Sequence, residues 1–292
     1  MFCDLGVTLG YDCNFRCAHC VVSDKQKPSV SDKEIALLVK TIHQYKVGSL
    51  LFVGGEPTLF VDAANKILSG LTNLPDISVR LTTNGGFADS KEAALKVLGA
   101  FLKLNRVQLS YDKFHAKFLP PKNINNLYLA CKSIGVGFHV VVTIGGPLDL
   151  LLLGEIKKQG KFKVVVQKVL PLGEALKNGI DYAYPSFDPA VLDKRCPNIG
   201  SLMYMPGQGF TVCCSSLVFN GRTKGFLHKT AAAHLRSRFY KELSAFTFSE
   251  LLKKRNIHIE KIEPKHSSMC NLCELIFKSP QDMKMVDLRG AF

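Results

Sequence analysis

Three cysteines, Cys13, Cys17 and Cys20, stand in a Cys-x-x-x-Cys-x-x-Cys array directly after the apolar run Leu5 to Leu9. That run predicts a first strand ending in a loop. Three thiolates on one short loop suit three irons of a 4Fe-4S cluster, because thiolate is the ligand such clusters take and a compact loop converges the sulfurs. The fourth iron stays open to bind and reduce a small molecule. A zinc knuckle, completed by His19 or by a distant cysteine, is the structural alternative, and it would close every position with protein ligands.

A second set lies far downstream: Cys196, the adjacent Cys213 and Cys214, and Cys270-x-x-Cys273. The chain has ten cysteines in 292 residues, and Met1-Phe2-Cys3-Asp4 does not open a basic-then-apolar export signal. This argues for metal or redox chemistry in a reducing, cytoplasmic compartment rather than for a disulfide framework. Cys131 falls on the stripe Ile124, Leu127, Tyr128, Cys131, Ile134 and reads as a core residue.

The 47% hydrophobic and 21% charged content is that of a soluble globular protein with ample core material. The longest apolar runs, around Leu148 to Leu153 and Val164 to Val166, are core-sized and fall short of the ~18 residues that span a bilayer. No membrane partner is expected. The formal charge of +14 favours an acidic partner. The densest basic groups, Lys157-Lys158, Lys161, Lys163 and Lys253-Lys254-Arg255, are dispersed on or beside predicted helices, so each reads as a solvated face rather than as a nucleic-acid groove.

The elements that must position the cysteines alternate. Ser31 and Glu34 form a capping box opening a helix with Ile35, Leu38, Val39 and Ile42 at helical spacing until Gly48. A strand, Ser49 to Val53, runs into Gly54-Gly55-Glu56-Pro57. A helix from about Val61 to Gly70 and a strand Ile77 to Thr83 follow, the strand ending in Asn84-Gly85-Gly86. The next helix begins near Asp89 and Glu92. Arg106 to Asp112 is the fourth strand, Asn123 to Ile134 a helix, Val136 to Ile144 the fifth strand and Phe162 to Leu170 the sixth. Such alternation means a parallel sheet, and six units fall short of the eight that close a full barrel. The fold class is therefore α/β, a partial (β/α)6 TIM-like barrel over 1–171, followed by a linker, 172–195, and a small C-terminal α+β domain, 196–292. In parallel barrels the chemistry sits at the C-terminal strand ends.

The cysteine array resembles the signature of radical S-adenosylmethionine (radical SAM) enzymes. The resemblance implies that Cys13, Cys17 and Cys20 hold a 4Fe-4S cluster whose open iron takes SAM, and that reductive cleavage yields a 5'-deoxyadenosyl radical. The residue before the third cysteine, His19, is placed by the same resemblance near the adenine. Gly54-Gly55-Glu56-Pro57 resembles the family's GGEP motif, whose backbone and glutamate hold the methionine ammonium. Asn84 closes the third strand, and Ser110 and Asp112, alternating on the fourth, are expected to contact the ribose or carboxylate of SAM.

The downstream set resembles the start of the SPASM pattern, shortened to a twitch domain holding one auxiliary 4Fe-4S cluster through Cys196, one of the adjacent pair, Cys270 and Cys273. If Gly209 to Leu217 is extended, neighbouring side chains face opposite ways and only one of Cys213 and Cys214 can ligate. Counting from Gly209 on the SPASM template selects Cys214; counting from Gly207 selects Cys213. Ser-Tyr-Asp-Lys-Phe-His-Ala-Lys-Phe (110–118), Cys196-Pro197, Val-Cys-Cys-Ser (212–215) and Cys-Asn-Leu-Cys-Glu-Leu-Ile-Phe (270–277) together resemble the radical SAM peptide epimerases of ribosomally made peptides. That likeness implies Cys213 as ligand and Cys214 as catalytic hydrogen donor, with a ribosomally made peptide as substrate, which the net charge expects to be acidic, and a flavodoxin or ferredoxin as electron donor. A peptide crosslinking enzyme and a twitch-type enzyme on a nucleotide or sugar share this chemistry. A metal-stabilised nucleic-acid-binding protein is the reading of another class, and it leaves Gly54-Gly55-Glu56-Pro57 and the six-unit rhythm unexplained.

Overall fold

The structure, a computed structural model, describes residues 2–22, 28–219 and 225–278. The chain divides into two units, Met1–Asp181 with Tyr204–Gly207, and Tyr182–Met203 with Gln208–Phe292.

The first unit is built on six parallel strands: β1 (Asp4–Thr8), β2 (Ser49–Val53), β3 (Ser78–Thr83), β4 (Arg106–Ser110), β5 (Gly137–Ile144) and β6 (Lys163–Lys168), ordered β6-β5-β4-β3-β2-β1. This is a partial TIM-like barrel. The helices between the strands are α1 (Asp32–Tyr45), α2 (Val61–Ser69), α3 (Lys91–Gly99), α4 (Lys122–Ser133) and α5 (Leu152–Lys158), and α6 (Glu174–Lys177) follows β6. Fully buried side chains of the strands, among them Leu5, Val7, Leu50, Phe52, Val79, Leu81, Val107, Leu109, Val140 and Val142, form the core. The α1 capping box forms as its sequence predicts: Ser31 N donates to Glu34 Oε2 at 2.8 Å and Glu34 N to Ser31 Oγ at 3.4 Å. Glu34 also accepts from Tyr204 Oη at 2.6 Å and Gly207 N at 2.8 Å. Burial opposes ionisation of Glu34, but these hydrogen bonds prevail and hold its carboxyl down at about 2.

The second unit contains the paired strands β7 (Ser201–Met205) and β8 (Gly209–Thr211), with Tyr204 and Met205 of β7 counted in the first unit. Its helices are α7 (Ser216–Phe219), α8 (Ala231–Arg236), α9 (Arg238–Ala245), α10 (Phe248–Lys254) and α11 (Met269–Phe277). Phe210, Leu217, Phe239, Leu243, Phe248, Leu251, Leu272 and Ile276 are buried within it.

Two details depart from the sequence-based expectations. β4 ends at Ser110, so Asp112 lies in the turn beyond the strand rather than on its face. The segment 209–217 is extended only to Thr211. Thr211 Oγ1 accepts from Cys213 N at 2.9 Å and Ser215 Oγ from Leu217 N at 3.3 Å, so short hydroxyl side chains turn the backbone where a ladder would continue. In the run Leu148 to Leu153, Leu148 and Leu151 are 80% and 79% exposed. Among the described residues, no helix is long and apolar enough to cross a membrane.

Candidate active site

The loop carrying Cys13, Cys17 and Cys20 leaves the C-terminal end of β1 and is laid across the end of β2. Gly55 N donates to Gly10 O at 2.9 Å and Glu56 N to Asp12 O at 2.8 Å. The approach is too close for any side chain: a Cβ on Gly55 would stand 2.0 Å from Asp12 O, and one on Gly54, at φ +152°, 2.4 Å from Gly10 O. The two glycines are thus required by the cysteine loop itself, before any ligand is considered.

From β3, Asn84 reaches the same loop, donating through Nδ2 to Asn14 Oδ1 at 2.8 Å and lying 3.5 Å from Cys13 Sγ. Phe15 N points at Cys13 Sγ at 3.4 Å. From beyond β6, Glu174 N donates to Cys20 O at 2.8 Å and Asn178 Nδ2 to Ala18 O at 3.0 Å. Strand ends on both sides of the sheet therefore fix one ten-residue loop. Cys17 is buried; Cys13 and Cys20 are half-buried.

Glu56 is buried and accepts from Thr58 N, Thr58 Oγ1 and Thr83 Oγ1 through Oε1, and from Asn84 N through Oε2 at 2.8 Å. Burial pushes its pKa up, and these donors work against that rise. Its carboxylate ties the ends of β2 and β3 together. Pro57 opens a short 3-10 turn, Pro57–Phe60, with Glu56 as its N-cap.

Asp112, 1% exposed, accepts from Phe114 N at 2.9 Å and His115 N at 3.1 Å. Its Oδ1 lies 2.9 Å from His115 Nδ1 and its Oδ2 3.4 Å from His19 Nε2. Burial opposes its charge, but the two imidazoles outweigh burial and hold the carboxyl well below the ordinary carboxylate range. His115 is raised in turn: burial disfavours its cation, yet Asp112 and Cys17 lift it to about 9. His19 stacks on Phe114 with ring centroids 4.3 Å apart, and its Nδ1 is buried without a hydrogen-bond partner. Among the described residues, His19, Asp112 and His115 are also the His, Cys, Asp or Glu side chains whose ligand atoms lie within 4.8 Å of one another. Ser110, half-buried, closes β4 two residues before Asp112.

In the second unit, α11 carries Cys270 and Cys273 one turn apart, on one helix face. Their electrostatic neighbours are Cys196, Cys213 and Cys214, so five thiols converge. Cys196 is half-buried, and burial lifts its pKa to about 11. Cys213 is buried, pushed up to about 12 by burial, and shares a hydrogen bond of 3.0 Å with Ser215 Oγ. Cys273 is buried and raised well above the ordinary thiol value. Cys214 is the exposed member of the five. Its hydrogen bond with Cys270 lowers it to about 7, while Cys270 is raised by the same bond. Asn198 Nδ2 donates to Cys214 Sγ at 3.1 Å.

The structure thus gathers Cys13, Cys17, Cys20, His19, Gly54, Gly55, Glu56, Pro57, Asn84, Ser110 and Asp112 at the strand ends of the first unit. Cys196, Cys213, Cys214, Cys270 and Cys273 gather in the second. Sequence reasoning assigned no role to His115, Phe114, Asn14, Thr83 or Asn198. His115 follows Asp112 by three residues, a spacing that allows a side-chain contact in a turn, and this was the signal available for it.

Residues 7–130 match the Radical SAM superfamily. A probable GTP 3',8-cyclase of Saccharolobus solfataricus is 33% identical over 109 residues, which is 37% of this chain and 34% of the relative. One of Sulfurisphaera tokodaii is 35% identical over 112 residues, 37% of this chain and 33% of the relative. The matched stretch spans about a third of the length of these curated relatives. Among solved structures, Streptococcus suis SuiB bound to the precursor peptide SuiA superposes with TM-score 0.60 at 13% identity, over 84% of this chain and 67% of that one. anSMEcpe with bound AdoMet and Cp18Cys peptide gives TM-score 0.57 at 15% identity, over 97% of this chain and 98% of that one. At such identities the likeness is one of fold, and the fold is the radical SAM fold with a C-terminal region.

Proposed function

We propose that this radical SAM enzyme modifies a peptide by epimerising an L-residue to the D-form at its α-carbon. The donor set fits the groups this requires: three thiols on one loop, a glycine cradle beside them, and an unpartnered imidazole nitrogen on His19. Cys13, Cys17 and Cys20 would hold a 4Fe-4S cluster. The backbone of Gly54 and Gly55, with Glu56, would hold the methionine ammonium of SAM, and His19, Asn84, Ser110 and Asp112 would line the rest of that site. Bound there, the cluster and SAM supply a 5'-deoxyadenosyl radical able to remove the α-hydrogen of a peptide residue.

The observation that carries the epimerase reading is the fifth thiol. Cys196, Cys213, Cys270 and Cys273 suffice for an auxiliary 4Fe-4S cluster, and Cys214 is the exposed one of the group. Its S–H bond is weak enough to return a hydrogen atom to the α-carbon radical, and a thiol on the face opposite the abstraction inverts the centre. The sulfur radical left on Cys214 takes one electron and one proton to restore the thiol. A flavodoxin- or ferredoxin-type donor would supply that electron, and Cys196, Cys213, Cys270 and Cys273 would hold the auxiliary cluster beside Cys214.

Anaerobic reconstitution tests this. Wild type should carry about eight irons, a Cys13/Cys17/Cys20 triple alanine variant about four, and only the wild type should release 5'-deoxyadenosine from SAM under dithionite. With a peptide substrate in deuterated water, one deuterium should enter the product α-carbon. Cys214→Ala should cleave SAM without forming the D-residue; full epimerisation by that variant overturns the assignment. A second reading is favoured by the named relatives: a nucleotide cyclase acting on GTP. It predicts GTP-dependent formation of 5'-deoxyadenosine, unaffected by Cys214→Ala.

A further inference from the structure

β6 is the last strand of its sheet, and among the described residues no strand pairs with its outer edge. Val169 N donates to Ile144 O at 2.9 Å, just past the β5–β6 ladder. In a parallel pair, alternate residues turn N–H and C=O to the same side, so Lys163, Val165 and Gln167 bond towards β5 while Val164 and Val166 face outward. Among the described residues, nothing is hydrogen-bonded to those outward groups of Val164 and Val166.

The composition of this edge is mixed: Lys163 and Lys168 stand at its two ends, and an apolar run lies between them. Edge strands are ordinarily blunted by charge, proline or a bulge. Here Val164, Val165 and Val166 run in succession, with Val166 41% exposed. The turn after β5, at the same end of the sheet as the cysteine loop, presents Leu148, Leu150 and Leu151 at 80%, 40% and 79% exposure. In the sequence before and into the valines, Lys157, Lys158, Lys161 and Lys163 are all exposed, against Glu155 as the one carboxylate in 155–168.

We propose that the outer edge of β6 is a docking strand for an extended, acidic peptide segment. The segment adds to the sheet through the backbone groups of Val164 and Val166, rests apolar side chains on Val166 and the leucine turn, and places carboxylates among the lysines. The inference rests on the peptide reading of the function and names the chemistry of that partner: carboxylates alternating with apolar residues in strand conformation. The charge argument selects this occupant, because a basic or helical segment would leave both the lysines and the open ladder unanswered.

The test uses the anaerobically reconstituted full chain and two fluorescein-labelled octapeptides, Glu-Val repeated four times and Lys-Val repeated four times, read by fluorescence anisotropy. The acidic peptide should bind, more weakly as salt rises, and the basic one should not. Val166→Pro removes an outward N–H while sparing the ladder to β5, a place where an edge strand tolerates proline, and should weaken binding about tenfold or more. A Lys158/Lys161/Lys163 triple Gln variant should weaken it comparably and flatten the salt dependence, which keeps the test decisive should Val166→Pro fold poorly. Equal binding of wild type and both variants, no preference for the acidic peptide, or no binding at all overturns the proposal. Peptide-independent SAM cleavage is measured on the same preparations and should be unchanged in Val166→Pro. Its absence from wild type would refute the enzyme reading while leaving the docking result to stand by itself.

Discussion

Replacing Asp112 with Asn removes one charge and nothing of volume, and the structure makes it costly. The carboxylate is 1% exposed, accepts from two backbone N–H groups and lies 2.9 Å and 3.4 Å from the imidazoles of His115 and His19. The Asn oxygen can keep the backbone donors, but its NH2 then faces an imidazole N–H, and His115 loses the larger of the two partners, Asp112 and Cys17, that raise it to about 9. Breaking a buried pair by removing one partner costs about 3–5 kcal/mol. Near the melting temperature of a domain this size, 1 kcal/mol corresponds to about 2–4 °C, so Asp112→Asn should lower the first unit's transition by roughly 10 °C. The assay is thermal unfolding of cluster-free protein followed by circular dichroism, across pH. His115 has a folded pKa raised from 6.5 to about 9, so its share of the stability is complete below 6.5 and is lost as pH rises through about 9. The gap between wild type and Asp112→Asn should therefore narrow above pH 9. A shift of under about 2 °C at pH 7, or a gap that widens with pH, would refute the reasoning.

Three further outcomes are expected. Gly55→Ala, whose Cβ would stand 2.0 Å from Asp12 O, should displace the cysteine loop and cut the iron retained at the first cluster at least severalfold, read by iron analysis in the background of an alanine-substituted second set. Glu34 has its folded pKa lowered from 4.5 to about 2, so its contribution is complete above 4.5 and is lost as pH falls toward 2. Glu34→Gln should flatten that part of the acid-unfolding profile, and an unchanged profile would remove Tyr204 and Gly207 from the account. Asn198→Ala, which deletes the 3.1 Å donor to Cys214, should slow alkylation of that thiol in cluster-free protein, whereas Asn198→Gln should restore part of the rate.

Periodicity and punctuation carried the barrel in the sequence. Alternating apolar runs and helical stripes located six strands and the first four helices between them, though not α5, because each element's core face repeats at its own period and needs no partner to be seen. Ser31 and Glu34 gave the start of α1 for the same reason: a cap is local. Where hydroxyl side chains compete for the backbone the local signal misled, so that β8 stops at Thr211 and the strand alternation expected for Cys213 and Cys214 is absent.

The division at the site follows the same physics. Cysteine spacing, Gly54-Gly55-Glu56-Pro57 and the downstream thiols were legible in the sequence, since thiol chemistry and glycine's freedom belong to residue types. Which groups those residues face was decided by the tertiary structure alone. The donors Thr83 and Asn84 on Glu56, the approach of His19 to Asp112, and the convergence of Cys196 and Cys214 with α11 all join residues distant in sequence. Composition identifies the chemistry available to a chain, but distance and burial fix which charge a side chain carries, and those exist only once the strands are paired.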